Sequence, residues 1–114
     1  MVRRYVPDAG DVVWIDFNPQ AGREQAGRRP ALVLSPLLYN EKAGLAIACP
    51  VTSKAKGYPF EVALPPNFKI AGVILSDHLK SVDWKERKAE FVATVPQPIL
   101  EAVRERVAAL LGLQ

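Results

Sequence analysis

Residues 24–36 read EQAGRRPALVLSP. A polar lead passes through Gly27, bunches Arg28 and Arg29, meets Pro30 and becomes the apolar run ALVLS (31–35). Proline fixes its own φ and pushes the residue before it toward extended backbone, so Arg29 is expected at the mouth of a strand. Two guanidinium groups there, a few residues after Glu24, serve either solubility or an anion site on a rigid sheet edge.

The same pattern recurs along the chain. DVVWIDF (11–17), LAIACPV (45–51), FEVAL (60–64), GVILS (72–76) and FVATV (91–95) are short, β-branched segments separated by Gly, Pro and Asn. Their repeated short spacing predicts an all-β sheet or small barrel. Pro50 lies within one of the runs and is expected at a bulge or strand end, because it cannot donate to a ladder. The last segment changes period. In PQPILEAVRERVAALLGL the apolar residues Leu100, Val103, Val107, Leu110 and Leu111 fall at helical spacing, with Pro98 in the first turn and Gly112 past the end. An amphipathic helix over 98–111 is expected to cover one side of the sheet, with Glu101 and Arg104 able to pair across one turn.

The chain's 114 residues, 49% of them apolar, suit a single domain over 1–114 that buries roughly two thirds of its unfolded surface. One cysteine, Cys49, sits in an apolar run and reads as a small core residue. With one histidine besides, the usual Cys/His zinc cluster cannot be assembled. The N-terminus lacks a signal-peptide core, and no apolar run approaches the ~20 residues that span a bilayer. The expectation is a soluble, cytoplasmic protein that does not engage membranes.

The net charge of +3 is informative through its placement. Segment 18–29 has a balance of +2 from Arg23, Arg28, Arg29 and Glu24, and segment 53–57 adds +2 through Lys54 and Lys56. The positive excess therefore sits in connections, where scaffolds usually meet ligands, although exposed lysines are also ordinary. Twelve residues without a bulky apolar side chain, between two good strands, form an unusually long connection. Arg29 at its exit could hold a phosphate through its planar fork or equally clamp a carboxylate or carbonyl. Thr52 and Ser53 follow a strand and could donate to a phosphate oxygen or simply shape a turn. Arg29 and Thr52 make one site only if the sheet brings them together, which spacing does not reveal.

Here the residues carry a resemblance. RYVPDAGDVVWIDFNP from Arg4, GREQAGRRPALVLSP from Gly22, the pair Tyr39 and Asn40, PVTSKAKGYPFEV from Pro50 and SDHLKSVDW from Ser76 together resemble the MazF/PemK/Kid family of toxins. These are ribosome-independent mRNA endoribonucleases of type II toxin–antitoxin pairs. The match runs from about Arg3 to Trp84, and the closing helix suits the family's ending. The resemblance implies a mainly β fold with a C-terminal α-helix, an SH3-like barrel of the CcdB/MazF (PemK-like) type working as a homodimer. It implies metal-independent cleavage of single-stranded RNA with no cofactor, blocked by the disordered C-terminal tail of a cognate MazE-like antitoxin. Arg29 in the G-x-R-P motif and Thr52 in the P-x-T-S motif would be catalytic, with Glu24 a further acid used in cleavage. Candidate RNA contacts are Phe17, Arg23, Arg28, Ser53, Lys54, Lys56, Asp77 and His78.

The chemistry suits these residues. The ribose 2′-OH attacks the adjacent phosphorus, so the protein need only orient, move protons and stabilise charge. Glu24 is a plausible base; Arg29, which stays protonated, is assigned to charge stabilisation. His78 stands where the family often has Gln, and packs, touches substrate or titrates. Trp14 and Trp84 are assigned to the core. Phe17 either joins them or stacks a splayed base. Two other functions stay open: a CcdB-like toxin that binds DNA gyrase without a nuclease site, and an inactive RNA- or antitoxin-binding module. Arg29 and Thr52 in their motifs favour the nuclease.

Overall fold

The structure is a computed structural model that describes residues 4–18 and 27–113. Its strands are β1 (Asp11–Asp16), β2 (Arg28–Val33), β3 (Ala46–Thr52), β4 (Glu61–Ala63), β5 (Val73–Leu75), β6 (Lys80–Val82) and β7 (Glu90–Thr94). Two helices, α1 (Leu37–Ala43) and α2 (Gln97–Leu111), and a 3₁₀ turn (Ser76–His78) complete it. All pairings are antiparallel, in the order β4-β5-β3-β2-β1-β7, with β6 also on β3. This is the expected mainly β fold with a C-terminal helix. What the barrel label covers here is an open strand path.

The central strands are buried on both faces, which is why they read as continuous apolar runs rather than alternating ones. Val12, Leu32, Cys49 and Val51 point into one core, closed by Val62 and Ile74 and by Leu100 and Val103 of α2. Val13, Ile15, Ala31, Val33 and Ala48 point into the other, closed by Val82 and Trp84. Trp14 belongs to neither core and is 37% exposed, contrary to its expected place; the cluster on its face of β1 stops at Val12.

Pro50 is not at a strand end. It lies inside β3 opposite Ala31, in the step between Ala46–Ala48, which pair with β6, and Val51 and Thr52, which pair with β5. A missing N–H is tolerated there because neither of those strands stands in register with it. Local signal for α1 and β6 is slight. Seven residues are too few to establish a helical period, and KSV is too polar and short to read as a strand. Arg28 and Arg29, expected in a loop exit, already belong to β2, paired with Asp16 and Ile15.

Asn40 ties these parts together from a fully buried position in α1. Its amide donates to the carbonyls of Pro7 (2.8 Å) and Ser35 (2.9 Å), and its Oδ1 accepts from the Ser35 hydroxyl at 2.6 Å. Its backbone carbonyl accepts the Trp84 indole N–H at 2.9 Å. Truncation would orphan several buried partners at once. Asn40→Ala is therefore expected to cost about 3 kcal/mol in denaturant unfolding. A destabilisation below about 1 kcal/mol would contradict this role.

Candidate active site

β2 and β3 run antiparallel with Ala31 opposite Pro50 and Leu32 opposite Cys49. Continued toward the strand mouths, that register sets Arg29 opposite Thr52. Thr52 in turn stands opposite Val73 of β5, and Leu75 stands opposite Glu61 of β4. Because side chains alternate along strands, Arg29, Thr52, Leu75 and Glu61 share one face. The sheet thus joins two residues that lie far apart in sequence, which spacing could not reveal.

A cleft of about 410 Å³ opens on that face, lined by these four residues and by Ser53, Lys54, Lys56, Tyr58 and Phe60 of the β3–β4 connection, with Asp77 and His78 from the 3₁₀ turn. Thr52 Oγ1 accepts the Lys54 N–H at 3.2 Å, which leaves its hydroxyl proton to donate elsewhere. Arg29 Nη1 donates a long 3.4 Å bond to the Val51 carbonyl. His78 Nε2 lies 3.9 Å from Asp77 Oδ1. Gly72 is needed for this arrangement. Its φ is +140°, and a Cβ there would fall 2.5 Å from the Thr52 carbonyl oxygen, so any side chain would force β5 away from Thr52.

Of the expected site residues, Arg29, Thr52, Ser53, Lys54, Lys56, Asp77 and His78 line this one cleft. Arg28 does not. Strand alternation turns it to the opposite face, where it donates to the Lys88 carbonyl (2.9 Å) and pairs with Glu90 (3.1 Å). Phe17 does not either. It is 1% exposed and packs with Ile15 and Trp84, so it fills core rather than presenting a ring to a base. Arg23 and Glu24 lie outside the described residues. The base of their connection is closed by Phe17 N–H to the Gly27 carbonyl (2.9 Å) and Gly27 N–H to Asn18 Oδ1 (3.0 Å). Tyr58 and Glu61 are cleft residues not singled out in the sequence. Tyr58 follows Gly57 in the lysine-bearing connection, and FEVAL reads as a core strand unless its alternation is used to turn Glu61 away from Val62.

Among the described residues, no group of three or more His, Cys, Asp and Glu side chains is placed to hold a metal ion. Also among them, no helix is long and apolar enough to cross a membrane. Cys49 lies behind the cleft, fully buried. Burial, with a smaller contribution from the Asp77 charge, pushes its thiol from 9.0 up to about 12, so it is neutral and unreactive near pH 7. A raised pKa in the folded state favours folding below the unfolded value, and that contribution is lost as pH rises through the folded one. Stability is therefore expected to decline between pH 9 and about 12, with part of the decline absent in Cys49→Ala. Equal declines in the two proteins, measured by denaturant unfolding at each pH, would contradict this.

The fold and cleft define a class: a small antiparallel-sheet protein in which one cleft gathers cations and a strand-end hydroxyl, chemistry that suits an anion. Residues 8–111 match the family of PemK-like, MazF-like toxins of type II toxin–antitoxin systems, and the chain belongs to that family. It is 47% identical over 112 residues to the endoribonuclease toxin MazF of Escherichia coli (strain K12), covering 98% of this chain and 100% of that one. Among solved structures it is similar to MazF of Deinococcus radiodurans, with a TM-score of 0.94, 59% identity and 96% and 99% of the two chains covered. It is also similar to a structure of MazE–MazF from the same organism, with a TM-score of 0.87, 52% identity and 97% and 100% covered.

Proposed function

We propose that this protein is the toxin of a toxin–antitoxin pair and a metal-independent endoribonuclease of single-stranded RNA. The observation that carries the reading is the placement of Arg29 across from Thr52 over one cationic cleft, in a chain whose relatives bear endoribonuclease names. Those names favour the nuclease over a gyrase-binding toxin.

The substrate's 2′-OH attacks the adjacent phosphorus while the bond from phosphorus to the 5′-oxygen breaks, leaving a 2′,3′-cyclic phosphate and a 5′-hydroxyl. Charge builds on the nonbridging oxygens. The Arg29 guanidinium and the Thr52 hydroxyl are the donors that meet it. Glu24 serves as base for the 2′-OH proton, and the leaving 5′-oxygen takes its proton from solvent water. Ser53, Lys54 and Lys56 hold flanking phosphates, and Asp77 and His78 contact substrate from the 3₁₀ turn that lines the cleft. Tyr58, 60% exposed at the rim, offers a face for a splayed base.

A MazE-like antitoxin blocks this site with its C-terminal tail, and the pair works in the cytoplasm, where mRNA is found. The purified protein should cut a single-stranded RNA at a short sequence, spare the same sequence in a duplex, and stop on addition of its antitoxin. Inhibition of gyrase with no RNA cut would move it to the binding class.

The toxin acts as a homodimer. The last turn of α2 and the residues after it carry Leu110, Leu111 and Leu113 at 42%, 56% and 71% exposure, beyond the part of the helix that packs on the sheet. Leu111 and Leu113 help line an apolar groove of about 530 Å³ with Leu34, Tyr39, Ile47, Leu79 and Val107, and the groove holds one charged side chain, Arg104. An apolar surface of this kind marks an interface. Leu111→Glu is expected to elute as a monomer in size-exclusion chromatography with light scattering, with unchanged circular dichroism. A dimeric variant would place the interface elsewhere.

A further inference from the structure

We infer that Glu61, an acid in a cleft meant for an anion, is a positioning residue that strengthens RNA binding by shaping the loop that carries the lysines. The inference rests on the reading of the cleft as an RNA site. Glu61 shares the sheet face of Arg29 and Thr52, yet its carboxylate is engaged by the backbone. Its Oε2 accepts the Lys56 N–H at 3.0 Å, and its Oε1 accepts the Gly57 N–H at 3.0 Å and the Lys56 N–H at 3.3 Å. Gly57 is left-handed, at φ +78°, so the chain reverses where the carboxylate captures it.

The rest of the loop is fixed at separate points. The Thr52 hydroxyl holds Lys54 N–H, the Arg106 side chain on α2 donates to the Pro59 carbonyl at 3.0 Å, and Ser76 N–H donates to the Phe60 carbonyl at 3.1 Å. Between Lys54 and Pro59, the Glu61 side chain holds the backbone at Lys56 and Gly57, and the Glu61 N–H donates to the Tyr58 carbonyl at 3.1 Å. Without the side chain, the segment that aims Lys54 and Lys56 into the cleft loses the anchor over its central turn. The two backbone N–H groups also offset the carboxylate's charge, so an acid is tolerated beside a phosphate.

The expected effect is opposite in sign to the simple Coulombic one. Removing a negative charge from an anion site should tighten anion binding. If Glu61 positions the lysines, its removal should weaken binding instead. The probe is a single-stranded RNA carrying one deoxyribose 5′ to the scissile phosphate, so that binding is read without turnover. Five proteins are compared: wild type, Glu61→Ala, Glu61→Gln, Lys54→Ala/Lys56→Ala, and the triple variant. Glu61→Ala should raise Kd about tenfold at low salt and lower the slope of log K against log salt by about 0.7 for each phosphate no longer held. Glu61→Gln keeps one acceptor oxygen and should fall between wild type and Glu61→Ala.

In the triple variant the added loss of affinity from Glu61→Ala should be less than about twofold, because coupled residues are non-additive. Unchanged or tighter binding by Glu61→Ala overturns the inference. So does an equal weakening with and without the lysines, which is what general loosening of the fold would give. If the lysine variant itself binds as wild type, the basic-loop reading of the cleft fails, and the inference fails with it. That outcome is told apart by the lysine variant alone.

Discussion

Arg29→Ala is expected to cut RNA about a hundred- to a thousandfold more slowly than wild type, the effect of removing a donor to a developing oxyanion. The effect should fall on kcat more than on KM, because the interaction strengthens as charge moves onto the phosphoryl oxygens. The variant should remain folded, because Arg29 is only partly buried. Arg29→Lys separates charge from geometry: it keeps the cation and loses the planar fork that matches two phosphate oxygens. It should remain at least about tenfold slow. Near-full activity in the Lys variant, measured at saturating RNA, would mean that any cation suffices and that the fork plays no part. Thr52→Ala should cost less, about ten- to a hundredfold, since it removes one neutral donor.

The proposed catalytic pair is legible in sequence as residue types and motifs but not as a site. Pro30 after Arg29 points to a strand, and PVTS points to a strand end. What joins them is the β2–β3 register, a tertiary property that no local pattern encodes. Arg28 and Arg29 are both read from the sequence as site residues. Strand alternation separates them, one to Glu90 on the outer face and the other to the cleft. The period of two makes that distinction once the strand is begun at Arg28 rather than after Pro30.

Phe17 shows the opposite case. Its place beside a long connection suggests a base platform, but it continues the buried register of Val13 and Ile15 into the second core. Alternation along β1 is the better guide. The helix is readable throughout. Gly112 ends it in a left-handed conformation at φ 70°, and Leu100 and Val103 are buried as the period requires. The periodicity also marks Leu110 and Leu111 as apolar without telling that they run past the sheet they are expected to cover. Glu61 is not visible as a site residue in the sequence because its partners are backbone N–H groups, which have no signature in side-chain chemistry.

If the substrate brings its own nucleophile to Arg29 and Thr52, cleavage must depend on a single ribose hydroxyl. A single-stranded RNA that the protein cuts is synthesised with one deoxyribose on the 5′ side of the scissile phosphate and compared with the all-RNA strand, both in excess EDTA. Without the 2′-OH, no group on the substrate can attack. The bond should survive, while flanking phosphates still bind and the substituted strand competes with the normal one. The all-RNA strand should be cut in the chelator, ending in a 2′,3′-cyclic phosphate and a 5′-hydroxyl. Failure of all-RNA cutting in EDTA would contradict the mechanism by requiring a metal ion. Cleavage at the deoxy position would contradict it equally, because water would then be the attacking group.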